Sequence, residues 1–216
     1  MVTRVAAALS SLALGACSVV GIRSGTEEPA YSVVATLPAD GAKVEIRRYA
    51  ERIAAETTLA TGQEAARYTG FRRLAGYIFG DNHSRTKIAM TAPVAVEKQT
   101  IAMTAPVAQA PAPGGGWTIR FFMPKGSTLE KLPEPNNPEV HLVTVPPETV
   151  AVLRFTGSYS PDTVAERQRA LLKALADSAW GPQGEPVVWF YDPPWTLPFL
   201  RRNEAAVTVV PKVTQP

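Results

Sequence analysis

Ile88-Ala-Met-Thr-Ala-Pro-Val94 recurs unchanged as Ile101-Ala-Met-Thr-Ala-Pro-Val107. An identical block seven residues long, repeated after thirteen positions, is not a chance event in a chain of 216 residues. Each copy carries one thioether, Met90 and Met103, a polarizable group suited to an irregular core or an apolar pocket wall. A methionine sulfur is also a soft metal ligand, so packing and ligation both stand as readings. Pro93 and Pro106 donate no ladder hydrogen bond, which places them at strand ends or on an edge. The spacing predicts a hairpin with Glu97-Lys98-Gln99 near its tip, wide enough to frame a groove.

Outward from that repeat, the same grammar appears on both sides. Upstream, Tyr31–Leu37 alternates weakly, and Lys43–Tyr49 alternates clearly, with Val44 and Ile46 on one face. Arg52–Ala60 reads as a third strand. Thr61-Gly62-Gln63-Glu64 has the form of a capping box and opens a helix to about Phe79, closed by Gly80. Downstream, Trp117–Met123, Val140–Val145 and Thr149–Phe155 read as strands. Ser160 then Pro161 is a cap followed by proline at the first helical position, and that helix runs to about Trp180-Gly181. Val187–Tyr191 and Ala205–Val210 close the chain, and Gln109–Gly116 reads as the linker between halves. Strands, a helix and strands, twice over, predict a duplicated α+β domain at residues 31–210, with halves 31–108 and 117–210 and a tail at 211–216.

The N-terminus reads as a targeting segment. Arg4 is a short positive region, and the apolar run after it ends in Leu14-Gly15-Ala16-Cys17, in the manner of a signal peptide. Leu-Gly-Ala-Cys resembles the lipobox of bacterial lipoproteins. Residues 1–16 are then removed, Cys17 is lipidated, and residues 17–30 form a polar tether. Cys17 is the chain's one cysteine, so it has no intramolecular disulfide partner. The apolar run is too short to span a bilayer as a helix, and two acyl chains would anchor stably. Ser18 resembles the sorting residue of outer-membrane lipoproteins, which predicts a periplasm-facing protein of the bacterial cell envelope.

Composition narrows the function classes. The formal net charge is +3 and the basic residues are scattered, which argues against nucleic-acid binding. The two histidines, His83 and His141, lack metal spacing, and no nucleophile elbow or phosphate loop occurs. The chain is read as a binding protein, not an enzyme. The Arg201-Arg202-Asn203-Glu204 run admits two readings: guanidinium groups offered to a ligand's carboxylates, or one arginine paired with Glu204 inside the fold. Pro193-Pro194-Trp195 and Pro198-Phe199 make a rigid aromatic loop that lids a pocket or caps the open end of a barrel.

The repeated heptapeptide, together with Tyr191-Asp-Pro-Pro-Trp-Thr-Leu-Pro-Phe-Leu-Arg-Arg-Asn-Glu204, resembles the SOUL family of heme-binding proteins from about Tyr31 to Val210. The resemblance implies a distorted antiparallel β-barrel flanked by two α-helices. It also implies non-covalent binding of heme or another porphyrin along the first helix, which here carries Arg67, Tyr68, Phe71, Arg72 and Ala75. Some members have a histidine, proposed as an axial ligand, in a strand motif like Val44–Tyr49; this chain has Arg48 there. His83 is the nearest substitute as iron ligand, with Met90 as a pocket wall. No Cys-x-x-Cys-His attachment motif occurs. The fold is also similar to effector-binding domains of multidrug-responsive regulators, so two alternatives remain: a promiscuous small-molecule module, and an envelope scaffold without a small ligand.

Overall fold

A computed structural model describes residues 26–39, 41–84, 99–192 and 196–212. Its strands are β1 (Tyr31–Ala39), β2 (Ala42–Tyr49), β3 (Arg52–Leu59), β4 (Asn82–His83), β5 (Val107–Pro111) and β6 (Trp117–Phe122), then β7 (Glu134–Pro135), β8 (His141–Val145), β9 (Glu148–Thr156), β10 (Trp180–Phe190) and β11 (Arg202–Pro211). The helices are α1 (Gln63–Ile78) and α2 (Pro161–Ala176). Nine strands join in one antiparallel sheet of order β1-β2-β9-β11-β10-β5-β6-β3-β8, and β4 pairs with β7 apart from it.

That order is a palindrome about the β10–β5 pair. One quartet, β2-β9-β11-β10, is answered by β8-β3-β6-β5. Both repeats run strand, strand, helix, strand, strand, and each lends its first strand to the other's quartet. The fold is therefore α+β and duplicated at the level of topology.

The chain's reach forces the sheet to curl. Ala50-Glu51 joins β2 to β3 and spans at most about 11 Å. In a flat sheet those strands, six places apart in the order, would be roughly 29 Å apart. Pro146-Pro147 imposes the same closure on β8 and β9, also six places apart. The result is a distorted, curled sheet that stops short of a closed barrel: among the described residues, β1 and β8 are its edges.

Strand alternation then divides the core. Val44, Ile46, Ala151, Leu153, Ala205 and Val207 face α2 with its Val164, Leu171 and Leu175. Ala55, Ile119 and Phe121 face α1 with its Ala66, Leu74, Tyr77 and Ile78. The alternate residues Ala54, Phe122, Val150, Val152, Trp189 and Ala206 pack inside the curl. Two glycines set close approaches. A Cβ on Gly70 would meet Ile119 Cγ1 at 2.4 Å, so α1 lies tight against β6. Gly116, at φ +84°, carries the turn into β6 so close to β3 that a Cβ there would stand 2.3 Å from the Leu59 carbonyl oxygen, which only glycine tolerates.

Several expectations are corrected. The N-cap of α1 is Gly62, with no side-chain capping bond, so Thr61 and Glu64 do not form the box. The second helix stops at Ala176, because Trp180-Gly181 begins the long strand β10. Its Ser160 cap holds: the side chain accepts the Thr163 N–H. Gln109–Gly116 is not a linker but the end of β5 and the turn of the β5–β6 hairpin, and the topological repeat closes only after β6. The second heptapeptide is not a hairpin strand either. Ile101 and Thr104 are buried in an irregular run, Thr104 bridges Glu27, and only Val107 enters a strand. The first copy, with Met90, lies outside the described residues, as do residues 1–25 with Cys17.

Candidate functional site

Between the helices, over the β10–β5 seam, the outer face of the sheet opens a cleft of about 280 Å³. Its walls are Arg67, Tyr68, Phe71 and Arg72 from α1, Val107 from β5, Phe190 from β10, Tyr159 from the turn before α2, and Asp192. The α1 residues form two i, i+4 pairs, Arg67/Phe71 and Tyr68/Arg72, on a stripe beside the buried face. Phe71 is held edge-on to Phe121 at 5.3 Å, and Tyr159 edge-on to Phe190 at 5.5 Å. The rings are thus fixed by packing rather than free to collapse into the gap.

Two cations at this cleft, Arg67 and Arg72, form no ion pair among the described residues. The Arg67 guanidinium lies 4.1 Å over the Tyr159 ring and 5.2 Å from that of Phe190. No carboxylate among the described residues pairs with Arg67 or Arg72. Burial holds the Arg67 pKa below the usual arginine range, and nearby Arg201 pushes the same way. Arg201 stacks on Tyr159 at 4.3 Å and donates to the Thr196 carbonyl at 2.7 Å. Tyr159 is therefore contacted by two guanidinium groups. Asp192 accepts the Arg202 amide N–H at 2.6 Å.

The inner side of the curl treats arginine differently. Glu204 is fully buried and takes hydrogen bonds from Arg47 (2.9 and 3.2 Å), Arg202 (2.8 and 3.2 Å) and the Tyr191 hydroxyl (2.7 Å). Arg47 also meets Glu45, and Arg202 meets Glu28 at 2.9 Å. Burial works against the Arg47 charge, yet the bond and charge of Glu204 outweigh it and raise its pKa. Burial and the Glu204 carboxylate both push the Tyr191 phenol well up. Burial likewise pushes Tyr49 up to about 12. Of the two readings of Arg201-Arg202, the structure gives one residue to each side: Arg202 locks Glu204, and Arg201 reaches the cleft wall.

Four of the residues singled out on the first helix, Arg67, Tyr68, Phe71 and Arg72, converge on the cleft. Ala75, one turn further, is half-buried and does not line it. His83 sits in the β4–β7 ribbon, away from the lining. Its Nδ1 is 2.6 Å from Asn136 Oδ1 and its Nε2 3.3 Å from Glu134. His141 is on the edge strand β8, exposed and opposite Glu56. Tyr159, Phe190 and Val107 were not foreseen as site residues. Tyr159 carried a usable signal, an aromatic placed just before a helix cap; Val107 and Phe190 read only as core.

These residues fit a tetrapyrrole in part. Ring faces with guanidinium groups at the margin suit an apolar macrocycle bearing carboxylates. The cleft is at the small end of ligand pockets, which run roughly 300–1,000 Å³, so a porphyrin would lie part in and part out. Among the described residues no histidine or methionine lines it, Tyr68 and Tyr159 being its only side chains of a type that ligates heme iron, and no cluster of His, Cys, Asp or Glu could hold a metal ion. Among them too, no helix is long and apolar enough to cross a membrane.

A family model described as SOUL heme-binding protein matches residues 26–208. No curated protein matches the chain. The structure is similar to the EcmrR C-terminal domain, at 10% identity and a TM-score of 0.55, covering 78% of this chain and 98% of that one. It is similar to EcmrR in its DNA complex, at 11% identity and 0.55, covering 78% and 57%. An uncharacterized conserved protein from Listeria innocua is similar at 10% identity and 0.51, covering 87% and 94%. At such identities the likeness is one of fold.

Proposed function

The chain belongs to the SOUL heme-binding protein family, and from that premise we propose that it binds heme or a related tetrapyrrole, reversibly and without a covalent bond, in the cleft beside α1. The observation that carries this reading is the wall itself: Phe71, Tyr159 and Phe190 offer ring faces, while Arg67 and Arg72 present cations that form no direct ion pair among the described residues, Glu64 acting on Arg67 through its charge alone. Heme iron would bring its own Lewis acidity. This chain's part is to bury the macrocycle and to pair its carboxylates.

The absence of a histidine from the lining gives the proposal a specific form. Hemin and metal-free protoporphyrin should bind with affinities within about tenfold, or 1.4 kcal/mol. Titration of both, followed by Soret absorbance, tests it. Saturable one-to-one binding of the two is expected; no saturable binding of either removes the function.

A second reading has one observation in its favour. The aromatic walls of the cleft, with cations at the margin, suit a promiscuous effector-type site for planar molecules as well. Binding of unrelated anionic dyes as tightly as porphyrin would select it. Location is proposed on the Leu14–Cys17 motif: a lipid on Cys17 tethers the domain to the cell envelope, facing the periplasm from the outer membrane. Cys17→Ala should abolish incorporation of labelled palmitate into the chain, and retained label would refute the anchor.

A further inference from the structure

The cleft has an exposed apolar margin that its own chemistry does not require. Tyr68 is 59% exposed on the α1 side, and Phe199, at 70%, is the most exposed of the large hydrophobic side chains among the described residues. Leu197 is 40% exposed next to it. The short 3-10 turn Pro198–Leu200 is pinned to the cleft from both ends. The Pro198 carbonyl accepts the Gly157 N–H at 3.0 Å, two residues before Tyr159, and Arg201 stacks on the Tyr159 ring at 4.3 Å. The turn that carries Phe199 therefore lies by the Tyr159 wall of the cleft, whose α1 wall carries Tyr68, Arg67 and Arg72.

Projecting aromatic and aliphatic groups interleaved with guanidinium groups are the composition that seats a surface in the headgroup region of an anionic bilayer. Aromatic rings settle at that interface, and the cations meet the lipid phosphates. The route of the chain agrees. Glu28 pairs with Arg202 at 2.9 Å on the inner side of the curl, so the N-terminal segment meets the fold at the end of β11 that follows the Pro198–Leu200 turn. The stretch from Cys17 to Glu28 spans up to roughly 40 Å when extended, ample to bring this pole to a membrane.

We infer that the pole formed by Tyr68, Leu197 and Phe199, with Arg67, Arg72 and Arg201, docks on an anionic lipid surface, so that the cleft opens directly onto the bilayer. This rests on the cleft being the ligand site. An apolar ligand could then pass between bilayer and cleft without crossing bulk water.

The test is flotation of the full chain carrying Cys17→Ser, without added porphyrin, on vesicles of phosphatidylcholine alone or with phosphatidylglycerol. Binding to the anionic vesicles is expected. Phe199→Glu should weaken it about tenfold or more, the least expected for withdrawing a phenyl group from an apolar layer. Phe79→Ser, at the far end of α1 where the ring is 61% exposed, should leave it unchanged. Leu197→Asp provides the same test should Phe199→Glu not fold. No binding to anionic vesicles overturns the inference, and so does binding indifferent to Phe199 and Leu197, which would assign it to the N-terminal segment. Porphyrin titration of the parent chain in vesicle-free solution separates the two ideas: saturable binding there beside failed flotation overturns the docking alone, and Phe199-dependent flotation without porphyrin binding overturns the ligand site alone.

Discussion

The two faces of the curled sheet use the same residue types to opposite ends. Inside, Arg47 and Arg202 are stitched to the buried Glu204, and Tyr191 completes its shell. Outside, Arg67 and Arg201 lie on the Tyr159 ring. Arginine with tyrosine is thus a lock on one face and an open hand on the other. The difference is the carboxylate. A buried ion pair is weak evidence for net stability, but breaking one strands a charge. A guanidinium stacked on a ring keeps its N–H edges available to a ligand.

The sharpest way to break this contrast is Glu204→Gln. It leaves Arg47 and Arg202 without their shared anion, and a cost of about 3–5 kcal/mol follows. For a domain of this size that lowers Tm by roughly 10 °C, readable by thermal denaturation; a drop of a degree or two would deny the inner face its locking role.

Gly70→Ala tests the outer face from below. Its Cβ would drive into Ile119 at 2.4 Å and lift the stretch of α1 that carries Arg67 and Phe71. The expected cost is about 1–3 kcal/mol of stability, accompanied by weaker porphyrin binding. Normal binding with lost stability would show the cleft to be less dependent on the helix than proposed.

A smaller effect separates the helix starts. Ser160→Ala should cost about 1 kcal/mol because its side chain accepts the Thr163 N–H. Thr61→Ala should stay within about 0.5 kcal/mol, as at ordinary surface sites, since Gly62 is the cap. Urea midpoints decide between them.

Smallest of all is His83→Ala. Its ring nitrogens are already engaged with Asn136 and Glu134, an exposed arrangement worth less than about 1 kcal/mol. The Soret band of bound hemin should not move. A shift would bring the histidine into the iron site after all.

Much of the fold was legible because it follows from periodicity. Val44 and Ile46 declare one face of β2, and Ser160-Pro161 declares the start of α2. The duplication also showed in the repeated element order. What escaped was non-local. Nothing in Ala50-Glu51 says that β2 and β3 join different quartets, since that depends on pairing with β9 and β8. Gln109–Pro111 reads as a proline-containing linker until β10 and β6 flank it. At the site, the i, i+4 pairs on α1 could be read directly. Phe190 could not, and Tyr159 showed only as an aromatic before a helix cap, because the closing of the seam between the halves is what brings them beside Arg67. The partition of Arg201 and Arg202 was equally hidden: strand alternation sends neighbours to opposite faces, but does not say which face holds Glu204's partners.

The claim that the outer arginines serve a ligand while the inner ones serve the fold meets its most direct test in the Arg67→Ala/Arg72→Ala double variant. Its protoporphyrin dissociation constant and its Tm are measured on the same sample. Loss of charge-assisted bonds worth about 1.5–3 kcal/mol predicts affinity weakened by tenfold or more, with Tm within about 2 °C of the parent. Unchanged affinity, or a Tm that collapses as for Glu204→Gln, would contradict the account.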